Sequence, residues 1–187
     1  LTQIPDLGAL SELQALDLPA NRITGIGDSL DGLAQLTYVN LNDNDISHLP
    51  PSACDLSQLG VAGNHFTSLP KCFCESESVT SIWLSSKLLE RQPDCIPQGL
   101  TRLSLQWDAL TEVPAAVFEC KELQRLDLSH NKLTNLTASF RQLGNLQDLF
   151  LGDNRLRTLP DFICDITGLV TLKLDVNRLT GLPASIA

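Results

Sequence analysis

Six cysteines and three histidines are the side chains of this 187-residue chain best equipped for chemistry. The run Cys72-Phe73-Cys74 suggests a metal site. A structural zinc, however, needs four ligands at defined short spacings, and no combination of Cys54, Cys72, Cys74, Cys95, Cys120 and Cys164 with His48, His65 and His130 supplies them. No metal and no cofactor is therefore expected. The histidines fall in separate stretches of the chain, where each reads as an ordinary surface or turn residue rather than a general base. The nucleophile elbow G-x-S-x-G, the phosphate loop G-x-x-x-x-G-K-[ST], H-E-x-x-H and the dinucleotide glycine run are all absent, so catalysis is not expected.

Charge narrows the partner. Thirteen Lys and Arg against 22 Asp and Glu leave a net charge of −9, which repels phosphate backbones and anionic lipid. Nucleic acid is a poor candidate, and no run approaches the roughly 18 apolar residues that a membrane span requires. With 43% apolar and 19% charged residues, the composition is that of a globular chain rather than a disordered one. Met is missing throughout, even at position 1, so the segment is expected to be part of a longer chain.

The elements that must position these residues come from a repeat. LQALDLPANRI, LTYVNLNDNDI, LSQLGVAGNHF, VTSIWLSSKLL, LTRLSLQWDAL, LQRLDLSHNKL, LQDLFLGDNRL and LVTLKLDVNRL share the pattern L-x-x-L-x-L-x-x-N-x-L. The N-like position is filled by Asn21, Asn44, Asn64, Lys87, Asp108, Asn131, Asn154 and Asn177, at spacings of 23, 20, 23, 21, 23, 23 and 23. Four columns, at eight, five and three residues before that position and two after it, hold Leu, Ile, Val or Phe in all eight repeats, which chance does not produce. The x-L-x-L-x core alternates with period two, so each repeat offers one short strand whose leucines cannot be covered without a neighbour.

These motifs are similar to those of leucine-rich repeat (LRR) proteins, and the match covers essentially the whole chain. The second half of each repeat begins with Leu49-Pro50, Leu69-Pro70, Val113-Pro114, Leu159-Pro160 or Leu182-Pro183 and continues as L-P-x-x-I-x-x-L. That return resembles the 23-residue repeats of intracellular LRR proteins such as Ras-pathway scaffolds and ROCO proteins. The resemblance implies an α/β solenoid of one domain, residues 1–187, with about eight repeats. A parallel sheet would line the concave face, and short helical turns or extended returns the convex face. Secreted LRR proteins usually carry Cys-rich terminal caps, and none is evident, which points to the cytoplasm. The uncapped ends, LTQIPDLGAL and ASIA, imply adjoining capping sequence or frayed terminal repeats.

Stacking also bears on the cysteines. Cys54 and Cys74 both lie ten residues past their ladder positions, and Cys72 and Cys95 both lie eight past theirs. Equivalent positions in adjacent repeats are neighbours, so the pairs Cys54–Cys74 and Cys72–Cys95 are the alternative to the leading expectation of reduced, mostly buried thiols. Lys87 and Asp108 depart from the Asn ladder in consecutive repeats; either they form an ion pair in place of two amides, or the array is locally irregular, as Gln92 in an apolar column also suggests. A single glycosylation sequon, Asn135-Leu136-Thr137, matters only in a secreted protein.

The residues six, four, two and one positions before each ladder residue face solvent on the inner surface. They include Tyr38, Trp83, Trp107 and Phe150, meaning both Trp and the only Tyr of the chain. Exposed aromatics on a concave face mark binding hot spots. Gly60, Ala62 and Gly63 form a shallow floor one repeat before Trp83, while Arg102 and Arg125 share a column with Asp148, and Asp127 and His130 lie alongside. The competing reading has Trp83 and Trp107 leaning sideways to cover an irregular central repeat. The expected function is a non-catalytic scaffold that recognises a partner protein through Tyr38, Trp83, Arg102, Trp107, Arg125, Asp127, His130, Asp148 and Phe150. The alternatives are the targeting domain of a larger signalling enzyme (a GTPase, kinase, phosphatase or ubiquitin ligase) and an extracellular recognition receptor.

Overall fold

Each x-L-x-L-x core does form a three-residue strand, in a computed structural model that describes residues 1–66, 68–84, 96–97 and 99–186. The strands are β1 (Ala15–Asp17), β2 (Tyr38–Asn40), β3 (Gln58–Gly60), β4 (Ser81–Trp83), β5 (Arg102–Ser104), β6 (Arg125–Asp127), β7 (Asp148–Phe150) and β8 (Thr171–Lys173). All pair in parallel with their sequence neighbours, giving one open, curved sheet in the order β1 to β8. The central residue of each strand points inward, and Val39, Leu59, Leu126 and Leu149 are completely buried. The residues on either side of it point out onto the concave face. The chain is an LRR solenoid, as the repeat pattern predicts.

The returns follow from proline. Pro50, Pro70, Pro114 and Pro160 fix the backbone in an extended conformation and then start a single helical turn. Three of these turns, Pro51–Asp55, Ala115–Glu119 and Asp161–Asp165, are 3₁₀ helices and Lys71–Cys74 is one turn of α-helix; a further 3₁₀ turn, Ala138–Gln142, is entered from Thr137 in extended conformation instead of from a proline. Nine residues past the ladder position, each turn drives one apolar side chain into the core: Ala53, Phe73, Val117, Phe140 and Ile163 are all buried. Phe140 further meets Phe118 edge to face at 5.2 Å.

Between strand and return, the Asn ladder joins repeats through side-chain amides. Asn131 Nδ2 donates to Leu128 O (2.9 Å) in its own repeat and to Leu105 O (2.8 Å) in the previous one. Its Oδ1 accepts from Leu110 N at 3.0 Å. Asn44, Asn64, Asn154 and Asn177 repeat this arrangement. Buried carbonyls that the short strands leave unpaired are thus satisfied without water. Asp108 carries no amide N–H, so it cannot make the donations to backbone carbonyls that Asn makes at this position. Lys87, its suggested ion-pair partner, lies outside the described residues.

The residue before each described ladder position turns the chain with a positive φ: Ala20, Asp43, Gly63, Trp107, His130, Asp153 and Val176 fall between 50° and 67°. This conformation costs an L-residue about 1 kcal/mol or more, which the ladder bonds of the next residue offset. At Gly63 a side chain is excluded on a second count, since a Cβ there would collide with the Asp43 carboxylate.

On the convex side the cysteines depart from both sequence expectations. Cys54 and Cys72 form a disulfide, with Cα atoms 6.0 Å apart. Neither the reduced state nor the pairings Cys54–Cys74 and Cys72–Cys95 hold for these residues. The reason is the helical turn. When the ninth residue past the ladder points inward, the eighth and tenth splay to opposite sides, so the tenth of one repeat meets the eighth of the next rather than its own equivalent. The same diagonal recurs where Arg141 lies over the Phe162 ring at 5.4 Å and where Cys164 Sγ approaches Ser185 Oγ at 3.1 Å. Cys74 is also disulfide-bonded, while Cys95 lies outside the described residues. Cys120 is a free, fully buried thiol, and Cys164 is free and partly exposed.

Candidate functional site

The strand register assembles the concave face from small, aromatic and charged residues at fixed columns. One column reads Gly60, Trp83, Ser104, Asp127, Phe150 and Lys173 from β3 to β8, and the other reads Gln58, Ser81, Arg102, Arg125, Asp148 and Thr171. Trp83 therefore stands between Gly60 and Ser104, neither long enough to cover an indole. It is half-buried. Gly60 cannot be larger, because Asn40 and Asn42 fold over it and would lie about 3 Å from a Cβ.

Two grooves share Trp83 as a wall. The larger, about 570 Å³, has Ala62 and Gly63 as its floor and Trp83 and Trp107 on its flanks, which agrees with the shallow floor expected beside Trp83. The smaller, about 320 Å³, is bounded by Trp83, Arg102, Arg125 and Asp127. Gln106 lines both. Its side-chain amide donates to Asp127 Oδ2, whose other oxygen accepts from Ser129 N at 3.0 Å, so the Asp127 carboxylate is held in place. Arg102 and Arg125 stack across β5 and β6 and make no ion pair among the described residues. Two Arg side chains on adjacent strands beside a fixed carboxylate can engage a partner's carboxylate and amide groups in bidentate fashion.

The residues anticipated from sequence divide into four groups. Trp83, Arg102, Arg125 and Asp127 come together at the centre, with Asp148 beside Arg125 on β7. Tyr38 lies two strands away from Trp83, on β2, at the margin of this centre. Phe150 departs from the expected exposure: it sits on the inner column but is 7% exposed, because Arg125 covers its ring at 4.5 Å and Lys173 at 5.2 Å. Trp107 and His130 sit past the strands, in the positive-φ turns at the rim. Their rings stack at 3.8 Å and 6°, and His130 Nδ1 lies 2.8 Å from Asp153 Oδ2. Trp107 is nonetheless 72% exposed.

Comparison with known proteins bears on the repeat and the fold. A leucine rich repeat family profile matches residues 98–156, and a second matches 35–56. A Leptospira interrogans LRR protein superposes on the whole chain with a TM-score of 0.77 at 29% identity. The chain is a leucine-rich repeat protein. The LRR ectodomain of the Arabidopsis thaliana membrane receptor kinase GASSHO1/SCHENGEN3, solved in complex with Casparian strip integrity factor 2, matches 98% of it with a TM-score of 0.68 and 30% identity. Among curated proteins, the receptor-like kinase TMK2 of Arabidopsis thaliana is 30% identical over 118 residues, 57% of this chain. The chain spans 49% and 24% of the two structures and 13% of the receptor-like kinase. An LRR array is typically a binding scaffold without catalytic machinery, and this one has a fold consistent with protein recognition. No helix among the described residues is long and apolar enough to cross a membrane.

Proposed function

We propose that this LRR array is a protein-recognition module that holds its partner against the concave face at β4 to β6. The observation that carries this reading is the pair of grooves sharing Trp83, one walled by a second Trp and the other by a fixed Asp and two Arg that make no ion pair among the described residues. Aromatics and Arg dominate interface energetics once a rim excludes water. The array's place in a longer signalling protein belongs to the same reading, since the relatives are several times its length. A photoreactive phenylalanine analogue introduced at Ser104 should crosslink a partner, whereas the same analogue at Ala138 on the convex side should not. Crosslinking from Ala138 alone would move the site to the back of the solenoid.

One observation favours an extracellular setting over the cytoplasmic one that the missing caps suggest. The Cys54–Cys72 disulfide persists in oxidising compartments and is reduced in a glutathione-buffered cytosol. In that setting the exposed Asn135 is an accessible glycan acceptor. In unreduced protein from its native source Cys54, Cys72 and Cys74 should resist a thiol reagent that labels them after reduction, and a glycan mass should appear at Asn135.

A further inference from the structure

One column on the rim was passed over in the sequence because it neither faces the core nor belongs to the strands. The residue after the ladder position is Lys132, Arg155 and Arg178 in the last three repeats. All three are exposed, and all line one groove of about 480 Å³ beside Trp107 and His130. In a chain of net charge −9, three stacked cations are a local inversion of sign. None of them makes an ion pair among the described residues, although Arg141 on the back pairs with Asp165 at 2.7 Å. The groove's one carboxylate, Asp153, is turned onto His130. The backbone N–H groups of Lys132, Arg155 and Arg178 donate to Leu110, Leu133 and Leu156 O, so the backbone is fixed while the cationic ends stay unsatisfied.

We infer that this rim groove is a docking site for a short acidic segment of a protein partner, lying extended across the last three repeats with carboxylates at alternate positions. The inference rests on the protein-recognition reading and names the chemistry of the partner. Three repeats at about 4.8 Å span roughly 10 Å, and alternate side chains of an extended peptide recur about every 6.7 Å. Two carboxylates on one face thus fall within the span of the three cations, each within reach of two long basic side chains. Trp107 forms a wall of both this groove and the 570 Å³ groove beside Trp83. One face of its indole is covered by His130, and the ring as a whole remains largely exposed. An aromatic or aliphatic residue flanking the acidic run would pack there. A long polyanion fits less well: only three repeats carry the stripe, and Asp127, Asp148 and Asp175 on the adjoining face repel an extended negative chain.

The test is selection of ten-residue peptides from a random library on the intact chain, followed by titration of the enriched sequences, carrying a fluorescent label, with anisotropy as readout. The expected result is enrichment of Asp and Glu at alternating positions next to an apolar residue. Affinity should fall tenfold or more in the Lys132→Glu/Arg155→Glu/Arg178→Glu variant, and by a smaller factor in the corresponding Gln variant, which retains the fold with less change of charge. Enrichment of neutral or basic peptides, or binding indifferent to both variants, would overturn the inference. So would a heparin oligosaccharide that binds the stripe more tightly than any selected peptide. Failure here is separable from failure of the concave-face reading, because the Ser104 crosslink reports that reading independently of the rim.

Discussion

The last three repeats and the central ones hold their neighbours by different means. From Asn131 to Asn177 the spacing is constant at 23, every ladder position is Asn, and the back is held by Arg141 against Phe162 and Cys164 against Ser185. From Asn44 to Asp108 the spacing runs 20, 23 and 21, the ladder passes through Lys87 and Asp108, and a disulfide braces the convex turns. Among the described residues, the turn containing Trp107 is also the one with two positive-φ residues other than Gly, Trp107 and Ala109. Both Trp residues belong to this irregular stretch. Regular repeats supply rigidity through side-chain amides, whereas the irregular ones give up part of that ladder and present aromatic rings to solvent, with a covalent link across the convex turns of the two repeats before them.

The sharpest way to break the comparison is at the ladder. Asn131→Ala leaves Leu105 O, Leu128 O and Leu110 N buried without the amide, and should destabilise the array by about 4 kcal/mol in urea denaturation. Asn21→Ala, at the exposed first repeat, should cost less than about 1 kcal/mol. Equal losses would mean that the ladder contributes nothing beyond local turn geometry. In the central repeats, Cys54→Ala/Cys72→Ala opens a link across 18 residues and should cost about 3 kcal/mol. A change below about 1 kcal/mol would show that the irregular repeats stack without the brace.

Cys120 tests the core between the two regions. Burial, reinforced by Glu119, pushes its thiol up to about 11 from the ordinary 9.0. The folded state therefore keeps a proton that the unfolded state gives up above pH 9. The associated stability is complete below pH 9 and is lost as pH rises through 11, a fall of about 2 kcal/mol that Cys120→Ala should abolish. The smallest expected effect sharpens the geometry of the turns: Ser185→Cys should oxidise spontaneously with Cys164 and raise stability by about 1 kcal/mol, because the bridge restrains only a terminal turn. A Cys164 that stays free under air would refute the diagonal rule.

Much of this was legible before any coordinates. The apolar columns specify the inward face residue by residue, and the spacing specifies the register, so Arg102 beside Arg125 and the Gly63 floor beside Trp83 follow from counting. What counting missed was direction within the turns. Position numbers treat Cys54 and Cys74 as equivalent, yet a helical turn sends its eighth and tenth residues to opposite neighbours, which decides the disulfide. Phe150 was missed for a related reason: a column assigns a face, not the long side chains of adjacent strands that close over it. The Lys132, Arg155 and Arg178 stripe was visible as a column of charge but lay outside the columns that a strand-centred reading inspects.

The central claim, that the irregular repeats present Trp83 for recognition rather than for packing, is tested most directly by measuring thermal stability and partner affinity side by side for Trp83→Ala. Affinity should weaken by about 2 kcal/mol, a factor of roughly 30, while the melting temperature stays within about 2 °C of wild type. A melting temperature lower by many degrees with affinity unchanged would contradict the account and return Trp83 to the core.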